Sequence, residues 1–310
     1  MKKILLTAIA ATLLSGSAYA TEIKIGVSLF SFDDNFLSVL RNSIEASAND
    51  AGVDVQMEDA KNEVGMQLNQ VQNFIASGVD AIIVDAVDSD ATQAITDDAA
   101  AAGIPLVYVG RRPINVDMLP DGQAFVASNE DESGTLQTQE VCRLMNGKGK
   151  VVVMMGTLGD NAALQRTKDI HDVIATPECS GLVIVEEQTA DFMRTEGNDL
   201  MTNWLTAGLE FDAVIANNDE MAIGAIQALK ASGRSMDSVI VSGIDATADA
   251  LAAMQAGDLD VTVFQNAEAQ GRGALETSLK LIKGEPVDKK VWVPFELVTP
   301  QNMDQYIKRN

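Results

Sequence analysis

Residues 214–229, VIANNDEMAIGAIQAL, place polar side chains between an apolar strand and a helix. Asn217, Asn218 and Asp219 form this corner, without the glycine-rich turn that brings a backbone close to phosphate at a helix N-terminus. An Asn side chain offers two donors and an acceptor, and an Asp side chain accepts from hydroxyls, which favours a polyol over a phosphate. The alternative interpretation is structural: Asp219 caps the helix, and Asn217 and Asn218 are turn residues.

Other polar and aromatic side chains follow the remaining predicted strands. In an open parallel sheet, ligands lie beyond the carboxyl ends of the strands. A pyranose or cyclitol ring has apolar C–H faces, which suit aromatic rings, and edge hydroxyls, which suit Asp, Asn and Arg. We therefore predict that Phe36 and Phe192 contact the ring faces. The residues predicted to contact the ring edge are Asp34, Arg111, Arg166, Asn218, Asp245 and Gln265.

Each of these residues also has a structural alternative. Phe36 begins an amphipathic helix and could belong to the core. Arg166 could be a solvated helix residue, and Asp245 could be a helix cap. Their shared position at strand ends favours the binding interpretation.

Catalytic motifs are missing from the chain. His171 is the only histidine, and it lies in the helical run 162–174 between two charged residues, Asp169 and Asp172, which is typical of a solvated helix face. No nucleophile elbow, HExxH motif or P-loop is present. We therefore predict a binding protein that is not an enzyme and needs no cofactor.

The elements that position these residues alternate along the chain. Predicted strands lie at 23–29, 53–58, 81–87, 106–109, 124–128, 150–155, 182–188, 213–217, 239–244 and 261–265. Helical runs lie between them, such as 36–49, where Phe36, Leu40 and Ile44 share one face. Continuous apolar, β-branched strands between helices indicate parallel sheets covered on both sides. The pattern predicts an α/β protein with two doubly wound lobes.

The alternation ends after the predicted helix 270–282. The extended run 291–298 predicts an edge strand and a chain crossing. Since no Pro-rich linker is present, short crossings must join the lobes, and the candidates are 127–129, 265–266 and 295–297. The predicted N-terminal lobe comprises 21–127 and 267–295, and the predicted C-terminal lobe comprises 128–266 and 296–310.

The N-terminus has the pattern of a cleaved export signal. Lys2 and Lys3 precede an apolar run of 11 residues, 4–14, and Ala18 and Ala20 are small residues at the minus-three and minus-one positions. A bilayer span needs roughly 20 apolar residues, so the run is too short to be an anchor. We predict a mature, monomeric protein that begins at Thr21 and lies in the periplasm.

The net charge of the mature chain limits its possible partners. Removing Lys2 and Lys3 leaves 20 basic and 45 acidic residues, a net charge of −25. Nucleic acid is excluded as a partner, because phosphate binding needs clustered Lys and Arg.

Cys142 and Cys179 could form a disulfide in an oxidising compartment, which ranks ahead of buried free thiols and of reactive thiols.

Five segments carry a family resemblance. IGVSLFSFDDNFLSVLR, VYVGRRP, VIANNDEMAIGAIQAL, VSGIDATADAL and VTVFQN resemble, in order and spacing, the periplasmic sugar-binding proteins of the ribose and galactose type. The resemblance implies two α/β lobes joined by three crossings, the type I fold of these proteins, and transfer of the captured sugar to an ABC permease. It implies ligand contacts from Asp34 and Phe36 in the first binding loop and from Arg111 after the fourth strand. The other five predicted residues fall in the C-terminal lobe, with Gln265 at a crossing.

The sequence departs from that family pattern in three places. Gly110 replaces the usual Asn or Asp before the basic residue, so one side-chain hydrogen bond is missing or replaced. Asp160-Asn161-Ala162 replaces the His-Pro-Asp of the galactose type. Residues 145–150 do not match the calcium loop of those relatives, so we predict no structural metal.

The finer ligand class rests on AALQRTKDIHDVIATPEC and LMTNWL, which resemble the branch that binds inositol, related cyclitols and rhizopine-type compounds. The predicted ligand is a neutral cyclitol or monosaccharide, and ribose or a hexose is the alternative. Delivery to a chemoreceptor or sensor kinase is an alternative to transport. A repressor of the lactose-repressor type would need a DNA-binding helix-turn-helix where the export signal stands, and a dehydrogenase would need GxGxxG after a strand.

Overall fold

Two parallel sheets with helices on their faces form the two lobes of the protein. The computed structural model describes residues 22–309. The predicted export signal, its cleavage site and Thr21 lie outside the described residues. Within 22–309, no helix combines the length and the apolar character that a membrane crossing requires.

The strands and helices follow the predicted alternation. The strands are β1 Lys24–Leu29, β2 Asp54–Asp59, β3 Ala81–Val84, β4 Leu106–Val109, β5 Gln123–Ala127, β6 Lys148–Met155, β7 Gly181–Thr189, β8 Ala213–Ala216, β9 Ile240–Ser242, β10 Thr262–Phe264, β11 Lys290–Trp292 and β12 Glu296–Val298. The α-helices are α1 Asn35–Ala51, α2 Val64–Ser77, α3 Thr92–Ala102, α4 Glu130–Leu144, α5 Asn161–Ile174, α6 Arg194–Thr206, α7 Asp219–Ala231, α8 Ala248–Gln255 and α9 Ala267–Ile282.

The N-terminal lobe contains a six-stranded sheet in the order β11-β5-β4-β3-β1-β2, with every neighbouring pair parallel. Apolar side chains of α1 and α9, such as Leu40 and Leu275, cover one face of the sheet, and Phe74 of α2 and Ile95 of α3 belong to the cluster on the other. Both faces are therefore buried, which explains the continuous apolar strands. The strand order changes direction at β1 and β3, where doubly wound sheets bind ligands.

The C-terminal lobe contains the parallel sheet β7-β6-β8-β9. Strand β10 lies beside β9 through the bridge from Ser242 to Val261, and it pairs antiparallel with β12. The predicted strands 239–244 and 261–265 are shorter in the structure, and Asp245 and Gln265 lie in the turns that follow β9 and β10. These turns carry two of the predicted site residues.

The chain passes between the lobes three times. It leaves the N-terminal sheet after β5, returns after β10 to form α9 and β11, and leaves again between β11 and β12. The predicted extended run 291–298 is therefore two short strands in different sheets, separated by a crossing at Val293–Phe295. Core packing places α9 with the N-terminal lobe and Val298 and Tyr306 with the C-terminal lobe. The residue boundaries of the lobes given above stay a prediction that this packing supports.

The predicted disulfide is confirmed. Cys142 at the end of α4 is joined to Cys179 in the turn between α5 and β7, with an S–S distance of 2.07 Å. The two residues are 37 positions apart in the chain. In the chain-entropy model, a cross-link across such a loop stabilises the folded state by roughly 4 kcal/mol.

Candidate functional site

A cleft of about 770 Å³ lies where the carboxyl ends of both sheets face each other. Its wall contains all eight residues that the sequence predicts to contact a ring: Asp34, Phe36, Arg111, Arg166, Phe192, Asn218, Asp245 and Gln265. The volume lies within the range of about 300–1,000 Å³ that is usual for small-molecule sites. Direct ligand contact by these eight residues stays a prediction.

Two aromatic rings enter this cleft from opposite lobes. Phe36 is the second residue of α1; it lines the cleft and also packs against the core cluster of the N-terminal lobe, so both sequence interpretations apply to it. Phe192 lies two residues before α6 with φ 63° and packs closely on Gly156, where a β-carbon would lie 2.1 Å from the ring. Since only glycine leaves room for this ring, Gly156 fixes one aromatic wall of the cleft.

The corner after β8 has mainly a structural role. Asn218 is the N-cap of α7 and accepts a hydrogen bond from the Met221 amide. The sequence alternative that named Asp219 as the cap is wrong, because Asp219 lies in the first turn and its carboxylate is turned inward. It accepts hydrogen bonds from the Thr247 amide and the Thr262 hydroxyl, each at 2.8 Å.

The two asparagines of that corner have different surroundings. The Asn217 side-chain oxygen accepts hydrogen bonds from the Gly156 amide at 3.0 Å and the Thr167 hydroxyl at 3.1 Å. Asn218 lines the cleft, and its amide nitrogen donates to the Phe192 carbonyl. Of the three corner residues, only Asn218 therefore faces the place where a ligand would lie.

Arg111 joins the two lobes. Its Nε lies 2.8 Å from a carboxylate oxygen of Asp160, the residue that caps α5 in the C-terminal lobe. Its guanidinium carbon lies 3.5 Å above the centre of the Phe30 ring, and Nη1 donates to the carbonyls of Ala86 and Val87. Most of the hydrogen-bonding capacity of Arg111 is thus used by the protein itself. Phe30 and Asp160 were missed from the sequence, although both lie next to predicted strand-end positions.

A second polar contact crosses between the lobes at another point of the cleft. The Asn35 side chain donates to Glu220 over 2.8 Å. Glu220 also forms a bidentate ion pair with Arg194, at 2.8 and 2.9 Å. Arg111 after β4 and Asn35 at the start of α1 therefore contact, respectively, the cap of α5 and the first turn of α7 in the opposite lobe.

Arg166 is buried and is paired with a residue that the sequence interpretation missed. Its guanidinium forms two parallel bonds to the Glu130 carboxylate, at 2.9 and 3.0 Å. It also donates to the Asn217 carbonyl at 2.8 Å and to the Gln265 side-chain oxygen at 3.0 Å. Glu130 is the first residue of α4, directly after the first crossing, and that position was the available sequence signal.

Three carboxyl groups lie in the cleft wall near these ion pairs: Asp85 and Asp245 are buried, and Asp34 is partly exposed. Burial raises the pKa of Asp85 to about 7, even though the nearby Arg111 opposes the shift. Burial also raises the pKa of Asp34 and raises that of Asp245 well above its ordinary value. Among residues 22–309, none donates a hydrogen bond to the Asp245 carboxylate. The Asp245 carboxyl group therefore has unused hydrogen-bonding capacity at the cleft wall.

Asp85 explains the unusual glycine before Arg111. Gly110 has φ 69°, and a β-carbon on it would lie 2.9 Å from a carboxylate oxygen of Asp85. The same carboxylate accepts a hydrogen bond from the Arg111 amide at 3.2 Å. The space that a side chain at position 110 would occupy is thus taken by Asp85, the strand-end residue of β3.

The arginines of the cleft are all paired with carboxylates. Arg111 pairs with Asp160, Arg166 with Glu130 and Arg194 with Glu220. Three more carboxylates line the same cleft: Asp34, Asp85 and Asp245. Among residues 22–309, none of them forms an ion pair with an arginine. The interior of the cleft consequently has more acidic than basic groups.

Two other predictions made from the sequence concern His171 and a structural metal site. His171 has a half-exposed side chain whose Nε2 lies 2.8 Å from Glu187, in agreement with a solvated helix face. Over residues 22–309, no group of three or more His, Cys, Asp or Glu side chains has the arrangement of a metal site. A smaller groove of about 360 Å³ lies between Arg112–Ile114 and α5 and contains none of the eight predicted residues.

A comparison with protein families identifies the family of the chain and agrees with its fold. The model of the periplasmic binding protein domain matches residues 25–286. The chain belongs to this family. The resemblance seen in the five sequence segments is confirmed, and the family and its relatives are substrate-binding proteins rather than enzymes.

Individual relatives of this periplasmic binding protein cover nearly the whole chain. A protein of Rhizobium meliloti, provisionally named a rhizopine-binding protein, is 61% identical over 100% of both chains. The crystal structure of an ABC transporter solute-binding protein from Bacillus halodurans with bound myo-inositol is similar with a TM-score of 0.88 and 42% identity, over 93% of this chain and 98% of the other. The Caulobacter myo-inositol-binding protein, also bound to myo-inositol, has a TM-score of 0.87 and 28% identity, over 94% and 98%.

Proposed function

We propose that this protein captures a cyclitol or monosaccharide ring between its lobes and delivers it to the permease of an ABC importer. The observation that carries the proposal is the single cleft into which strand ends of both lobes bring rings, amides and carboxylates. Phe36 and Phe192 supply surfaces for the apolar faces of a ring. Asn218, Asp245 and Gln265 supply hydrogen-bonding groups for its edge.

A cyclitol is favoured over a ribose or hexose. Two of the similar solved structures contain myo-inositol, and one of them is 42% identical to this chain. The Rhizobium meliloti relative, at 61% identity, is provisionally named for rhizopine. Asp160 caps α5 and pairs with Arg111 at the position where a galactose-type pocket has a different sequence, which argues against a galactose-like ligand.

Hinge closure is the proposed mechanism of capture. Ligand contacts come from both lobes, so a ring gains its full set of contacts only when the lobes are together. The Arg111–Asp160 and Asn35–Glu220 contacts form between the same surfaces and stabilise the closed arrangement. Membership of the periplasmic binding protein family supports a periplasmic location and a permease partner.

A thermal-shift screen of the purified protein against neutral cyclitols, pentoses and hexoses tests this function. A ligand present at 100 times its dissociation constant stabilises the folded state by about 2.7 kcal/mol. We expect an inositol to raise the melting temperature and to reduce the radius of gyration measured by small-angle scattering. Stabilisation by none of the rings would contradict the proposal.

One observation favours a second ligand class, a cyclitol in which a protonated amine replaces a hydroxyl. Asp85 and Asp245 are buried and Asp34 is partly exposed, and among residues 22–309 none of the three forms an ion pair with an arginine. An ammonium group would supply the missing charge. The pKa of Asp85 is about 7. Below that pH the Asp85 carboxyl group is protonated, so a bound cation must displace its proton. The affinity for the amine should therefore rise between pH 6 and pH 8. A neutral ring should lack this rise in calorimetric titrations.

A further inference from the structure

The ion pair between Glu130 and Arg166 stands at the junction of the cleft and two of the three crossings. Glu130 follows the first crossing, and Gln265, which accepts from Arg166, lies in the second. A guanidinium group has five N–H donors. Four of them are directed at protein acceptors, namely two at Glu130, one at Asn217 and one at Gln265. Arg166 therefore has little capacity left for a ligand.

The positive charge of Arg166 is also balanced within the protein, by the Glu130 carboxylate. Its guanidinium and the Glu130 carboxylate are both nearly buried, with side-chain exposures of 5% and 13%, and they meet in a bidentate pair. Such a pair holds the planar group in one orientation. Glu130 thus holds in an ion pair the arginine that also lies in the wall of the cleft with Asp245.

Asp245 is the group affected by this arrangement. It follows β9, lies buried in the cleft wall and receives no hydrogen bond on its carboxylate from residues 22–309. Carboxyl groups act on it from several elements: Asp34 caps α1, Asp219 lies in α7 and Glu130 begins α4. Arg166 of α5 is the cation that opposes them.

We propose that Glu130 is a specificity-determining positioning residue that, by holding the charge of Arg166, keeps the Asp245 side of the cleft acidic and favours rings bearing a protonated amine over neutral rings. The inference rests on the proposed binding of a ring in this cleft. Glu130 acts through Arg166 and Asp245, so it need not touch the ligand. Without Glu130, Arg166 would become the counter-ion of Asp245, and the site would lose its preference for a cation.

Calorimetric titration of two probes of matched shape tests this role: myo-inositol, and an inositol in which one hydroxyl is replaced by an amine. The quantity of interest is the ratio of the two affinities, measured for the natural chain, Glu130→Gln and Glu132→Gln. Glu132 is an exposed carboxylate in the same first turn of α4, so its variant controls for the loss of one charge at that helix end. We expect Glu130→Gln to reduce the amine-to-neutral ratio at least about tenfold, which corresponds to about 1.4 kcal/mol. Glu132→Gln should leave the ratio unchanged.

A purely structural role would weaken the binding of both probes by the same factor, and that result would overturn the proposal. An unchanged ratio with unchanged affinities would overturn it as well. Binding of neither probe to the natural chain would instead contradict the proposed function. These outcomes are distinct, because the first two require measurable binding by the natural chain.

Two further variants keep the test decisive. Asp245→Asn removes the group through which Glu130 acts, so adding Glu130→Gln to it should change the ratio by less than about twofold, whereas independent effects would add. If Glu130→Gln does not fold, Glu130→Asp retains the charge on a shorter side chain. That variant should keep the amine preference, and a tenfold loss of the ratio in it would overturn the proposal.

Discussion

Replacing Gly110 by alanine should damage both stability and binding, because two separate costs act at this position. The backbone at Gly110 has φ 69°, a left-handed conformation that disfavours side chains by about 1–2 kcal/mol. The new β-carbon would also lie 2.9 Å from an Asp85 carboxylate oxygen. Asp85 would have to move, and its hydrogen bond from the Arg111 amide would weaken.

Gly122 provides a matched control for the backbone cost. Its φ is 79°, and a β-carbon there meets nothing within 4 Å. Gly122→Ala should therefore cost only the left-handed strain, about 1–2 kcal/mol. Gly110→Ala should cost a further 1–3 kcal/mol, roughly the value of disturbing a buried hydrogen-bonded group.

Thermal unfolding and calorimetry on the two variants measure these costs. At about 2–4 °C per kcal/mol, Gly110→Ala should melt several degrees below Gly122→Ala. Its affinity for the best ring should fall, since Asp85 lines the cleft, while Gly122→Ala should bind normally. Equal melting temperatures for the two variants, together with unchanged binding by Gly110→Ala, would refute the assigned contact between position 110 and Asp85.

Three other perturbations have definite expected outcomes. Asp160→Ala removes the cross-lobe partner of Arg111, so the ligand-free protein should show a larger radius of gyration in small-angle scattering; an unchanged radius would argue against the contact as a closure element. Replacing both Cys142 and Cys179 by serine should lower the free energy of unfolding by roughly 2–4 kcal/mol in denaturant titrations without changing ligand affinity, and unchanged stability would contradict this expectation. Phe192→Ala should weaken ring binding at least about tenfold through lost stacking, whereas His171→Ala should bind normally; the reverse pattern in calorimetry would place the site elsewhere.

The sequence was sufficient to predict the two α/β lobes, because parallel strands buried on both faces have a local signature of continuous apolar residues. That the eight candidate residues line one cleft was also predictable, since polar residues at strand ends fall at one edge of a sheet. The structure of the run 291–298 was harder to predict. Its extended character is local, but the transfer from β11 in one sheet to β12 in the other depends on partners far along the chain.

The pairing of side chains inside the cleft could not be predicted, for a physical reason. Glu130 and Arg166 are 36 residues apart, and Arg111 meets Asp160 only because the two lobes face each other. Periodicity assigns a residue to a face of an element, but it carries no information about which charged group lies opposite. The same limit explains why Asp219 was offered as a helix cap, although Asn218 has that role.

A crystal structure of the protein with the inositol that binds best is the most direct test of ring binding in this cleft. We expect the ring to lie between Phe36 and Phe192, with one of its substituents about 2.7–3.2 Å from the Asp245 carboxylate and with the Glu130–Arg166 pair intact. A ring bound in the smaller groove beside Trp292, with the larger cleft filled only by solvent, would contradict the account.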